Sequence, residues 1–302
     1  MGGSAHAAVA GLPTSGDQGS PNAAGSASGC GSGSPAGSTS TRTVTVDGIT
    51  RTARLHVTSA YDATTPTPVI VAFVGHGMSI DKLEDFSGLD DSDALVLYPQ
   101  PAGTDPQNGW QGAPYASGQD DIAFVGALLD DLQARECVDT TRVYAAGISN
   151  GAGFVSLLSC RMADRIAAFA AVSAAIYPAD NPACPSVPAV PVVEFHGTAD
   201  PVIPYDGGTS HGAALEPVTQ WLTEQAQRGA CAASPTRTPI GADVIEEQWC
   251  GCHGRGALTH YTIDGGGHTW PGATRSSGPG ATTQTISATQ IIEEFFAAHR
   301  LA

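Results

Sequence analysis

The sequence predicts an α/β fold with a mainly parallel central sheet and helices on both faces. Two observations carry this expectation. Short apolar runs suited to buried strands alternate along the chain with longer segments of helical period. A Gly-x-Ser-x-Gly pentapeptide also stands between one such strand and one such helix. At 302 residues the chain is long enough for one large domain with a full core.

Residues 1–40 are rich in Gly, Ser, Ala and Pro and read as linker, tag or degraded leader, so the folded domain is expected over 41–302. Residues 41–46 and 50–57 alternate in polarity and are joined by Asp47-Gly48, the signature of a hairpin that opens the sheet. Apolar strands follow at 68–74 and 95–97. Residues 120–135 read as a helix with Ile122, Val125, Leu129 and Leu132 on one face and aspartates at its start. A buried strand at 142–146 leads into the pentapeptide, and a helix follows at 152–162. Further strands are expected at 166–173, 191–196 and 259–263. Helices are expected at 217–228, carrying Trp221 and Leu222, and at 287–299, packing Ile291, Ile292, Phe295 and Phe296. There is no internal repeat.

The pentapeptide is Gly147-Ile148-Ser149-Asn150-Gly151. At a sharp strand-to-helix turn a serine is pushed out with its hydroxyl exposed. Glycines are needed on either side, because side chains there would meet the strand and helix. The helix N-terminus behind it favours an oxyanion in front. A serine hydroxyl is a weak nucleophile and needs a base with an orienting acid. In this arrangement the chain order is Ser, then Asp or Glu, then His. Asp200 follows the apolar strand that ends at His196, and His268 follows three glycines, 265–267, after the strand at 259–263. Ser149, Asp200 and His268 are therefore the candidate catalytic residues. His196 is the main competitor for the base, but a histidine ending a buried strand reads as a structural residue bonded to backbone. His253 and His260 look less available, and Asp206 and Asp264 compete with Asp200. For an oxyanion hole the Asn150 N–H is one candidate, and a second is expected from the glycine-containing loop after 68–74, at His76 or Met78. Trp110 and Trp270 are candidates to line a substrate pocket, with plain core packing as the alternative for both.

Several stretches together resemble a family of secreted microbial feruloyl esterases with the α/β-hydrolase fold, a group shared with acetylxylan esterases and polyhydroxybutyrate depolymerases. They are Tyr98-Pro99-Gln100, Gly109-Trp110-Gln111-Gly112, Asp120-Asp121-Ile122-Ala123-Phe124, the pentapeptide, His196-Gly197-Thr198-Ala199-Asp200 and Gly266-Gly267-His268-Thr269-Trp270-Pro271. The resemblance runs from about Cys30 to the C-terminus. The Trp-Gln-Gly segment and the cysteine pattern lean toward the feruloyl branch; the triad motifs do not separate substrates. The resemblance implies a serine carboxylesterase acting on small or polysaccharide-linked esters, with no cofactor or metal, secreted and monomeric. One departure stands out: Val74-Gly75 occupies the place where the family has His-Gly, or else His76-Gly77 is that pair shifted by two residues. An inactive hydrolase fold acting as a binding protein is the alternative of another class.

Formal net charge is -16, from 13 basic and 29 acidic residues, and Lys82 is the only lysine. Such a surface repels phosphate backbones, which excludes nucleic acid as an expected partner. No apolar run approaches the ~18 residues of a membrane span. Seven cysteines, Cys30, Cys137, Cys160, Cys184, Cys231, Cys250 and Cys252, lack Cys-x-x-Cys spacing. Three disulfides and one free thiol are expected in an exported protein. Connectivity is left open, with Cys231–Cys250 one bridge that would clip the segment before the histidine strand.

Overall fold

The computed structural model describes residues 28–102, 109–179, 184 and 189–302. Its centre is a ten-stranded sheet, and the expected α/β architecture is what is found. In chain order the strands are β1 (Thr39–Val46), β2 (Ile49–Val57), β3 (Thr67–Phe73), β4 (Leu95–Pro99), β5 (Val138–Ile148), β6 (Ala168–Val172), β7 (Pro191–Gly197), the short pair β8 (Gly208–Ser210) and β9 (Ala213–Leu215), β10 (Thr236–Ile240), β11 (Val244–Trp249) and β12 (Ala257–Ile263). The order across the sheet is β1-β2-β4-β3-β5-β6-β7-β12-β11-β10, with β8 and β9 forming a separate hairpin. The six strands from β4 to β12 run parallel; antiparallel pairs close both edges.

The β1–β2 hairpin turns on Asp47 and Gly48, both at positive φ, as a tight twisted turn requires. All residues of β4, β6 and β7 are buried, so both faces of the sheet are covered. The covering helices are α1 (Ile80–Ser87), α2 (Asp121–Arg135), α3 (Asn150–Arg161), α4 (Val218–Arg228) and α5 (Ala288–Ala297). α3 and α4 are tied by Trp221 Nε1 donating to Ser156 Oγ, and α1 and α5 by Thr289 Oγ1 donating to the Ser87 carbonyl. Asp120 caps α2 by accepting from Ala123 N. Its neighbour Asp121 turns inward instead, 2.7 Å from Arg51 Nη2, and accepts from Gln111 N. Phe73, Phe154 and Phe169 are buried in the core. Burying such a side chain stabilises by ~1.5–3 kcal/mol before entropy is counted.

Two expectations are corrected. The packed part begins before residue 41: Cys30 is bonded to Cys137, and Ser34 donates to Glu136 from both its N–H and its hydroxyl. Composition alone missed this, because a Gly/Ser-rich segment can be held down by a disulfide. Three disulfides are present among the described residues, Cys30–Cys137, Cys160–Cys184 and Cys231–Cys252, and Cys250 is the free, exposed thiol. Cys231 therefore bonds Cys252 and not Cys250. Trp249 ends β11 facing inward, so the next side chain, Cys250, points to solvent.

Candidate active site

Ser149 sits at φ 60 and ψ -123, between the last residue of β5 and the first of α3. A non-glycine residue in such a sparsely populated conformation costs ~1–3 kcal/mol and persists only where its surroundings over-determine it. Here they do. A Cβ on Gly147 would lie 2.6 Å from the Gly151 backbone, and one on Gly151 would lie 2.3 Å from the Phe73 carbonyl oxygen. Only hydrogen fits at either place, so α3 leaves β5 at close range and Ser149 is held at the crest. Its N–H donates to the Val172 carbonyl, and its carbonyl accepts from Gly153 and Ala175. Asn150 opens α3, whose first-turn N–H groups have no intrahelical acceptor.

Asp200 and His268 lie on the loops after the parallel neighbours β7 and β12, at the same end of the sheet as Ser149. His268 Nδ1 is 2.8 Å from Asp200 Oδ2, and the Asp200 carboxylate also accepts from Val202 N and Ile203 N at 2.8 Å each. A carboxylate in that role requires Nδ1 to carry the proton, which leaves Nε2 of a neutral imidazole as the acceptor. Burial alone would push the Asp200 pKa up. The hydrogen bond and charge of His268, the Ile203 N–H and His196 outweigh it and hold the carboxyl below its ordinary value. The glycines before His268 do not leave the loop loose: Gly267 N and His268 N donate to Ala281 O and Pro279 O, and Gly266 O accepts from Ala199 N.

The loop after β3 passes beside the serine, since a Cβ on Gly75 would be 3.2 Å from Ser149 Cβ. Met78 N is engaged by the Gly75 carbonyl at 3.1 Å. The His76 ring stacks on Tyr115, centroids 4.2 Å apart, with His211 edge-on at 5.1 Å.

His196 is fully buried; Nε2 is 2.9 Å from the Ile203 carbonyl and Nδ1 is 3.0 Å from Glu194. The expected structural bond to backbone is thus present. His260 lies inside β12 and is also buried. Neither tryptophan offers its face to a substrate. Trp110 is 0% exposed, stacks on Phe154, and donates from Nε1 to the Val74 carbonyl and from its N–H to Asn150 Oδ1. Trp270 is 1% exposed and donates to Thr289 Oγ1. Their expected pocket-lining role is corrected to core packing and, for Trp110, to fixing the Asn150 side chain. Asn108, next to this segment, lies outside the described residues.

Sequence reasoning missed Tyr115, Tyr177 and His211. Tyr115 meets Tyr177 edge-on at 6.0 Å and His211 at 4.4 Å. A Cβ on Gly109 would touch both the Tyr115 ring and Asn150 Oδ1, which puts this cluster next to the residue following Ser149. It also missed Glu194, although a carboxylate inside an apolar strand is itself a signal, because such a charge is buried only when paired. Among the described residues no group of three or more His, Cys, Asp or Glu is placed to hold a metal ion. Nor is any helix among them long and apolar enough to cross a membrane.

Residues 71–211 match the family model described as esterase PHB depolymerase. Feruloyl esterase B of Piromyces equi is 31% identical over 182 residues, 58% of this chain and 34% of that protein, so the chain spans about a third of that relative's length. NocK, a provisionally assigned esterase of Nocardia uniformis subsp. tsuyamanensis, is 28% identical over 287 residues, 85% of this chain and 82% of that protein. Among solved structures an arylesterase superposes with TM-score 0.55 at 13% identity, covering 88% of this chain and 86% of that one, a likeness of fold. Elbow, strand order and structural likeness agree on an α/β-hydrolase fold, and the chain is similar to feruloyl esterases and, over residues 71–211, to the esterase PHB depolymerase family model.

Proposed function

We propose that the chain is an exported serine carboxylesterase of the feruloyl esterase type, releasing hydroxycinnamic acids from plant cell-wall polysaccharide. The observation that carries the catalytic part is the strained Ser149 at the strand–helix crest, at the same sheet edge as the Asp200–His268 pair. Ser149 attacks the ester carbonyl while His268 takes its proton and later delivers it to the leaving alcohol. Asp200 holds the imidazole tautomer and stabilises its cation. The N–H groups of Asn150 and His76 receive the oxyanion, the second from the loop that passes beside Ser149. Because the hole uses backbone donors, Val74 in place of histidine is compatible with activity. Water then cleaves the acyl-enzyme. Three disulfides among the described residues favour an oxidising compartment and hence secretion.

The feruloyl preference is supported by the fungal relative's name and by the planar groups beside Asn150. Tyr115, His76 and His211 are the surfaces on which a cinnamoyl ring would stack, in place of the buried Trp110. The family model keeps a second reading in play, hydrolysis of polyhydroxybutyrate, and the name of a relative, a bifunctional acetylxylan esterase/xylanase, keeps acetylated xylan as a third. A panel of methyl ferulate, acetylated xylan, polyhydroxybutyrate and p-nitrophenyl acetate, run with wild type and Ser149→Ala, tests all of them. Methyl ferulate should be turned over fastest. Polyhydroxybutyrate cleavage without methyl ferulate cleavage would move the chain to the depolymerase branch. No turnover of any ester would favour an inactive binding protein.

A further inference from the structure

Behind Asp200 lies a row of polar side chains that the proposed reaction does not use. Glu194 and His196 are two residues apart on β7 and so share a face; on β12, His260 is in register with Glu194 and Thr262 with His196; on β11, Glu247 is in register with His260. Glu194, His196 and His260 are each at most 1% exposed. Glu194 Oε1 is 3.0 Å from His196 Nδ1, and Glu194 Oε2 is 2.6 Å from His260 Nδ1. Tyr205 OH lies 3.1 Å from His260 Nε2, and Thr262 Oγ1 donates to Glu247. His196 Nε2 is 2.9 Å from the Ile203 carbonyl and 3.6 Å from Asp200 Oδ2, the oxygen that His268 also engages.

The partners fix the protons. A carbonyl oxygen can only accept, so Nε2 of His196 carries hydrogen. The Nδ1 partner is a carboxylate: burial would raise the Glu194 pKa, but the two imidazoles overcome this and hold it at about 2. An ionised carboxylate can only accept, so Nδ1 carries hydrogen as well. With both nitrogens protonated, His196 is an imidazolium. The groups facing it are Glu194 on its own strand, Asp200 and Tyr205 on the following loop, and His260, Thr262 and Glu247 on the neighbouring strands, with His268 across Asp200.

We propose that His196 is a buried, charged positioning residue, paired with Glu194, which pins the Asp200 loop at Ile203 and shares the Asp200 carboxylate with His268. Its bond to Ile203 O holds the residue whose N–H grips Asp200. Its charge compensates the carboxylate from behind. Taking that cation away leaves more of the Asp200 charge uncompensated, so the acidic limb of the rate profile moves to higher pH. The proposal rests on the reading of Asp200 and His268 as the acid–base pair.

Two measurements on the full chain test it. In 15N-resolved imidazole spectra at pH 8, with His196→Gln used for assignment, His196 should show two protonated ring nitrogens, and in Glu194→Gln only one. A bare ring nitrogen on His196 in folded wild type overturns the proposal. In kcat/KM against pH on p-nitrophenyl acetate, His196→Gln should shift the acidic limb upward by ~0.5–1 unit and lower kcat ~10-fold with KM within about twofold. An unmoved limb, with kcat reduced only in proportion to the folded fraction, would make His196 merely structural and overturn it too. Failure of the catalytic reading is separately visible: full activity in Ser149→Ala would remove that reading while leaving the protonation state of His196 as measured.

Discussion

The two halves of the site are held by different physics. On the serine side the constraint is steric: Gly147 lets α3 approach β5 and Gly151 lets it approach the end of β3, and the backbone at Ser149 is held at φ 60. On the acid–base side the constraint is electrostatic: Asp200 is gripped by N–H groups, two imidazoles and a buried carboxylate behind them. A steric constraint is local in sequence and tolerates no added atom. An electrostatic one is assembled from three strands and answers to pH.

The largest effect should separate chemistry from sterics on the serine side. Ser149→Ala should lower kcat by ~10⁴-fold or more with an unchanged melting temperature. Gly151→Val should lose activity together with the fold, since its side chain would run into the Phe73 and Val74 carbonyls. A Gly151→Val protein that melts like wild type would show that the crest is not sterically set.

On the opposite side, His268→Ala should be nearly as damaging as loss of Ser149, and Asp200→Asn somewhat less so, because the N–H groups of Val202 and Ile203 can still hold an amide oxygen. A His196→Ala protein that stays folded but is dead, beside an active His268→Ala, would reverse the assignment of the base.

The electrostatic side should also govern stability against pH. Glu194 and Asp200 are depressed in the folded state, so their contribution is present above the unfolded carboxyl range and is lost as pH falls below it, for Glu194 toward about 2. For His196, burial lowers the pKa, but Glu194, the Ile203 carbonyl and Asp200 raise it further, to a net upward shift. Its contribution is therefore complete below its ordinary value of 6.5 and is lost as pH rises through the raised folded value. Breaking a buried pair typically costs ~3–5 kcal/mol. Urea midpoints across pH should show Glu194→Gln destabilised most near pH 5–6 and converging on wild type at both extremes. A constant offset at all pH values would mean that Glu194 acts by packing alone.

The same contrast explains what could be read beforehand. Ser149, Asp200 and His268 stand out because each sits in a short motif after an apolar strand, and the parallel sheet follows from alternating periods. The row behind Asp200 is spread over β7, β11 and β12, and only strand register brings Glu194, His260 and Glu247 together. The β10–β11 edge escapes a sequence reading because β10 is exposed over its first four residues and only Ile240 packs against the core, leaving no apolar period to detect. Trp110 and Trp270 show the reverse error: an aromatic inside a motif looks functional, yet burial and a satisfied indole N–H make both structural.

The smallest effect concerns the ring surface. If a cinnamoyl group stacks on Tyr115, removing that ring costs ~0.5–1.5 kcal/mol beyond buried area, a factor of a few up to about ten. Tyr115→Ala should therefore lower kcat/KM for methyl ferulate by that factor and leave p-nitrophenyl acetate nearly unchanged, since an acetyl group has no plane to stack. Trp110→Phe should behave oppositely. It keeps an aromatic core but drops the Nε1 bond to Val74 O, beside the loop carrying the proposed oxyanion donor, so both substrates should slow alike. A methyl ferulate defect confined to Trp110→Phe would return the ring-binding role to the tryptophan. It would also mean that the loop over residues 109–115 moves on binding, because the indole is buried as it stands.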